Sequence, residues 1–118
     1  MRTTITTTVP FFAGHVIPGH STCGRQHGHD WSVAVSLESS LNPQDGLVVE
    51  HGAFQHAVEE LVAEFNGRNI NDLLPGVLPT PEGIAQYVHE RLVFEYPVTK
   101  VTVVMSRSIS ATVEWPSR

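Results

Sequence analysis

From Trp31 to Leu37 every second residue is apolar: Trp31, Val33, Val35 and Leu37 alternate with Ser32, Ala34 and Ser36. Side chains along a strand point to opposite faces with a period of two, so this run specifies a strand with one face in a core and the other turned outward. Such a strand needs neighbours, and the chain supplies them. Thr3 to Val9 is rich in β-branched residues; Val101, Val103 and Met105 mark a third strand, and Ile109, Ala111, Val113 and Trp115 a fourth. Two helices lie between the strand pairs. The first runs from about Gly52 to Phe65, with Phe54, Val58, Leu61, Val62 and Phe65 on one face, and Asn66-Gly67 stops it. The second opens at Thr80-Pro81-Glu82, with Thr80 as N-cap, Pro81 at the first helical position and Glu82 favourable in the first turn. It buries Ile84, Val88 and Leu92, while Asn42 to Gly46 reads as a turn and Asn71 to Pro79 as a loop. The order β-β-α-α-β-β is an α+β pattern, with both helices on one face of an antiparallel sheet.

At 118 residues the chain makes one domain, residues 1–118, and a sheet this short leaves edges that invite assembly with further copies. The net charge of −5, from 7 basic and 12 acidic residues, argues against a nucleic-acid surface. No segment approaches the roughly 20 apolar residues of a membrane helix, and the N-terminus does not resemble a signal peptide. Cys23 is the only cysteine, so no intrachain disulfide can form, and a reducing, cytoplasmic setting is expected.

Seven histidines in so short a chain stand out. His27 and His29 are two apart at the entry to the second strand, so both rings can reach one point; His15, in the loop before them, can supply a third nitrogen. Three neutral imidazoles suit zinc and leave a fourth position open for water or substrate. The alternative is a pair of surface histidines flanking Gly28. Cys23 shares the Gly-rich loop with His27. Beside a cation its thiol would favour thiolate, making it a base or nucleophile; it could equally be an inert buried residue or a fourth zinc ligand. His20 could contact metal or substrate from the same loop. His51, His56 and His89 fall on or near the helices, where surface or core roles are the ordinary ones.

Phe11-Phe12-Ala13-Gly14-His15 followed by Cys23-Gly24-Arg25-Gln26-His27-Gly28-His29 resembles the 6-pyruvoyltetrahydropterin synthase and 6-carboxytetrahydropterin synthase family. The similarity continues through Asp45 to Glu50, Asn71-Asp72 and Pro79 to Glu82. The resemblance implies a tunnelling fold (T-fold) that oligomerises into a barrel as a trimer or hexamer. It also implies zinc on His15, His27 and His29, a proton-moving Cys23, and active sites at subunit interfaces. In the family the zinc binds side-chain hydroxyls of dihydroneopterin triphosphate. An Asp-His pair near the end of the first helix assists the cysteine, and a glutamate in the last strand pair anchors the pterin ring.

This chain departs from that pattern. Asn66-Gly67 stands where the Asp-His pair is expected, Met105-Ser106 where the anchoring glutamate is expected, and Glu50-His51 where the family usually has Asp-Phe. Glu114 is near the lost anchor in sequence, but strand register makes it a poor substitute. The expected protein is therefore a zinc-dependent lyase or isomerase acting on a small hydroxy-carbonyl or diol substrate other than the standard pterin. The alternatives are a genuine 6-carboxy- or 6-pyruvoyltetrahydropterin synthase, with His51, His56 or Glu114 covering the losses, and a zinc-binding oligomeric module without catalysis.

Overall fold

Two 13-residue strands, β1 (Thr3–His15) and β2 (His27–Ser39), pair antiparallel from Thr3↔Ser39 to His15↔His27. The computed structural model describes residues 1–15, 27–73, 78–106 and 108–115. A 13-residue strand rises about 40 Å, so within extents of 54 × 26 × 25 Å the β1–β2 ladder must lie along the long axis. Its closing end, at His15 and His27, is thereby placed toward one tip of the molecule.

Helix α1 (His51–Ala63) and the short β3 (Arg68–Asn69) and α2 (Ile70–Leu73) follow, then α3 (Pro81–Leu92), β4 (Val98–Ser106) and β5 (Ile109–Glu114). The sheet order is β3-β1-β2-β4-β5. β3 runs parallel to β1, through Ala13↔Arg68 and Gly14↔Asn69, so the sheet is mixed where an antiparallel one was expected. Residues 70–73 form a helical turn that takes in the first residues of the expected Asn71–Pro79 loop. Neither feature has a periodicity to betray it: two residues of strand and four of helix are fixed by what they pack on.

The core lies between one sheet face and the two long helices. Val9, Phe11, Ala13, Trp31, Val33, Val35, Leu37, Val101 and Val103 meet Phe54, Val58, Leu61, Val62, Ile84, Val88 and Leu92 there. The opposite sheet face is hydroxyl-rich, with Thr6 Oγ1 and Ser36 Oγ 2.7 Å apart and the Thr102 and Thr112 hydroxyls 3.0 Å apart. Helix α3 is capped as expected: the Gly83 N–H donates to Thr80 Oγ1 at 3.0 Å, behind Pro81. Helix α1 starts one residue early because Glu50 is its N-cap, its carboxylate accepting from the Gly52 and Ala53 N–H groups at 3.0 and 2.6 Å.

The outer edge of β1 is divided. Phe12 turns its N–H and C=O away from β2, toward Asn66 Oδ1 (3.0 Å) and the Gly67 N–H (2.6 Å). Backbone polar groups alternate between the two sides of a strand. Pro10, Thr8, Thr6 and Thr4 therefore face the same outer edge, and among the described residues no strand lies beside β1 from Thr3 to Phe11. Proline is tolerated at position 10 for this reason: its missing N–H costs the β1–β2 ladder nothing.

Candidate metal centre

Three of the four residues singled out for metal and catalysis come together on the β1–β2 ladder. His15 lies directly across from His27, and His29, two residues on, lies across from Ala13. Directly opposed positions are about 5 Å apart and share a face. These positions have the parity of Phe11, Ala13, Trp31 and Val33, which are buried on the helix side of the sheet. Register thus brings three imidazole-bearing positions to one face at one end of the ladder, a nitrogen-only donor set of the kind a zinc-type divalent ion accepts. Cys23 and His20 lie outside the described residues. Among the described side chains no group of three His, Cys, Asp or Glu is arranged to hold a metal.

The aromatic column behind this end fixes its floor. Trp31 stacks on Phe11 (5.7 Å between centroids, 10° between planes) and its Nε1–H donates to the Ala13 carbonyl at 3.0 Å. Phe11 meets Phe65, and Phe65 meets Tyr87 edge-on, each at 5.7 Å. Glu64 reaches Arg91 at 3.5 Å and accepts from the Tyr87 hydroxyl at 3.4 Å, which ties the end of α1 to α3. Burial, and then the Glu64 carboxylate, push the Tyr87 phenol above its ordinary value.

Where an Asp-His pair is expected, the two residues have backbone tasks. Asn66 uses Oδ1 to accept from Phe12, and Gly67 carries no side chain and adopts φ +74°. Met105 is partly buried and packs against the core. Extending the Ser32↔Val104 register by one step sets it alongside Trp31, on the face that carries the three histidine positions. Glu114 pairs with Lys100, at the opposite end of the β4–β5 ladder from Met105, which removes it as a substitute anchor within the chain. His56 sits on the exposed side of α1, 3.0 Å from Glu60. His51 borders a cleft of about 440 Å³ with Ile5, Thr6, Thr7, Phe54 and Gln55, beside the part of β1 remote from His15. His89 is buried against Trp115, whose ring is 5.3 Å away. No helix among the described residues is long and apolar enough to cross a membrane.

Sequence reasoning missed Phe12 and the backbone role of Asn66. The adjacent phenylalanines were a signal, because only one of two consecutive strand residues can face the core. Phe11 does, and Phe12 is left 53% exposed on the other face. There its ring covers Gly28: a Cβ built on that glycine would lie 2.7 Å from Phe12 Cζ.

A five-stranded sheet headed by two long paired strands, with both long helices on one face, defines a tunnelling-fold domain. Comparison with solved structures agrees. The 6-pyruvoyl tetrahydropterin synthase of Caenorhabditis elegans superposes with a TM-score of 0.89 at 18% identity, over 98% of this chain and 97% of that one. The Plasmodium vivax enzyme superposes at 0.79, also at 18% identity, over 96% and 97%. The chain belongs to the 6-pyruvoyl tetrahydropterin synthase family, whose model matches residues 4–115. A curated protein of Archaeoglobus fulgidus, provisionally named a 6-carboxy-5,6,7,8-tetrahydropterin synthase, is 33% identical over 82 residues, 70% of this chain and 69% of that protein.

Proposed function

We propose that this protein is a zinc-dependent lyase or isomerase whose substrate is a hydroxy-carbonyl compound or diol other than dihydroneopterin triphosphate. Family membership supports pterin-synthase-like chemistry. The three histidines would hold the metal, which when bound polarises neighbouring substrate oxygens and makes the adjacent C–H more acidic. Cys23 would take and return that proton as thiolate, and the lone cysteine fits a reducing, cytoplasmic setting.

The observation that carries the substrate divergence is the Asn66–Phe12 hydrogen bond. The position expected to begin a proton relay is an amide held to a backbone N–H, and the next residue has no side chain. At the ring-anchoring position, Met105 has no group to pair with an amino-pyrimidinone edge, a contact that a carboxylate makes with charge-assisted hydrogen bonds. The open edge of β1 and the outer edge of β5 would each accept a strand from a further copy, which supports a trimer or a hexamer of stacked trimers.

The test is to incubate zinc-loaded protein with dihydroneopterin triphosphate and follow acetaldehyde release and the pterin product. General acid–base help is worth roughly 10²–10⁴-fold, so turnover should fall at least ~100-fold below that of family members. A panel of small hydroxy-carbonyl compounds should contain one consumed by the parent and not by Cys23→Ala. Turnover matching the family would favour a genuine tetrahydropterin synthase, the reading suggested by the name of the Archaeoglobus relative. Inactivity throughout, with Cys23→Ala indistinguishable from the parent, would leave a zinc-binding module.

A further inference from the structure

We infer that Asn66, Gly67 and Phe12 form a positioning clamp that holds the histidine-bearing end of the β1–β2 ladder in register. The inference rests on the assignment of the metal to His15, His27 and His29. The clamp has two arms that meet in Phe12. The backbone arm is the pair of bonds from Asn66 Oδ1 (3.0 Å) and the Gly67 N–H (2.6 Å), which hold both outward-facing polar groups of one residue. The chain continues from Gly67 directly into β3, so Ala13 and Gly14 are held on the same side immediately before His15.

The second arm is the Phe12 ring, which lies over Gly28 on the neighbouring strand. Gly28 is the residue between His27 and His29. One side chain therefore links the strand carrying His15 to the strand carrying His27 and His29. Phe12 is half exposed, so core burial does not account for its place; contact with Gly28 does. An aromatic ring laid across a cross-strand glycine supplies the packing that the glycine lacks. The anchorage is firm at its root: Phe65, next to Asn66, is fully buried between Phe11 and Tyr87.

Groups hydrogen-bonded to metal ligands typically change metal affinity 10–100-fold when removed, and a clamp acting through the backbone is expected at the lower end of that range. Zinc affinity is measured by competition with a chromophoric chelator, and ligand geometry by the visible spectrum of the Co²⁺ form, well below each variant's Tm. Asn66→Ala should bind zinc about tenfold or more weakly. Asn66→Asp, whose carboxylate can accept from the same Phe12 N–H, should restore affinity to near the parent value. Phe12→Leu keeps the backbone arm and removes the ring; it should weaken binding and alter the Co²⁺ spectrum even if Asn66→Ala fails to fold. Parent-like affinity and spectrum in folded Asn66→Ala or Phe12→Leu, with only Tm lowered, would overturn the clamp. A parent without zinc, or His29→Ala that keeps it, would overturn the ligand assignment and the clamp with it. The His29→Ala control thus separates the two failures.

Discussion

The two ends of β1 are treated differently by the fold. From Phe12 to Gly14 the strand is fastened on both sides, by β2 and by residues 66–69, immediately before His15. From Thr3 to Phe11 it is fastened, among the described residues, on one side only, and Thr4, Thr6 and Thr8 present backbone groups to the outer edge. The difference separates two requirements. A metal site needs ligands held within a fraction of an ångström, which a chain achieves best with its own contacts. An assembly edge must stay unpaired within the chain to be available to another copy. On the proposed function one strand would serve both, because the change comes at a single place, between Pro10 and Phe12.

The largest expected effect breaks the metal end. His29→Ala should remove nearly all bound zinc, read as metal per chain after dialysis, while far-UV circular dichroism stays that of the parent. Full occupancy in that variant would mean that the ligands are elsewhere.

Next comes a pair of proline substitutions on the open half. The Thr7 N–H faces β2, so Thr7→Pro removes a ladder bond and leaves its acceptor unsatisfied, which should cost about 1–3 kcal/mol. The Thr8 N–H faces outward, so Thr8→Pro should fold, remain smaller than the parent by light scattering, and still bind zinc. Loss of zinc in folded Thr8→Pro would show that the metal end depends on assembly, and the two ends of β1 would no longer be separable.

A smaller effect is expected at Gly67, where φ is +74° and a Cβ would meet no other atom within 4 Å. Gly67→Ala should therefore cost only the left-handed backbone penalty, about 1–2 kcal/mol, visible as a modest fall in Tm. A much larger fall would reveal crowding at the clamp. The smallest effect concerns Tyr87. A phenol whose pKa is raised on folding keeps its proton where the unfolded chain loses it. That contribution is present below the unfolded pKa and is lost as pH rises through the folded value. Alkaline melting curves should show a shallower loss above about pH 10 in Tyr87→Phe than in the parent.

The regular elements were legible because each has a repeating pattern. Trp31 to Leu37 alternates, and Val58, Leu61 and Val62 share a helical face, so both were readable before any contact was known. The Thr80-Pro81 start was readable because capping chemistry is local. Glu50 was not read as a cap, since Ser, Thr, Asp and Asn are the usual ones. β3 was invisible because two residues carry no period; its strand character comes from Ala13 and Gly14. At the candidate site, spacing exposed the histidines. The Asn66-Gly67 dipeptide read correctly as the end of a helix, but nothing local shows that its amide reaches a strand 54 residues earlier.

Pro10 has a consequence for the chain while the outer edge of β1 is open. A bare strand edge is a template, and a newly made protein is surrounded by other unfolded segments that can add to it. Position 10 offers no N–H, so a misplaced strand finds donors at Thr4, Thr6 and Thr8 and then a gap, with the next outward group, on Phe12, already engaged by Asn66. Wrong pairings at this edge are kept short and readily reversed, and growth into a fibre-like stack is checked before it reaches the histidines.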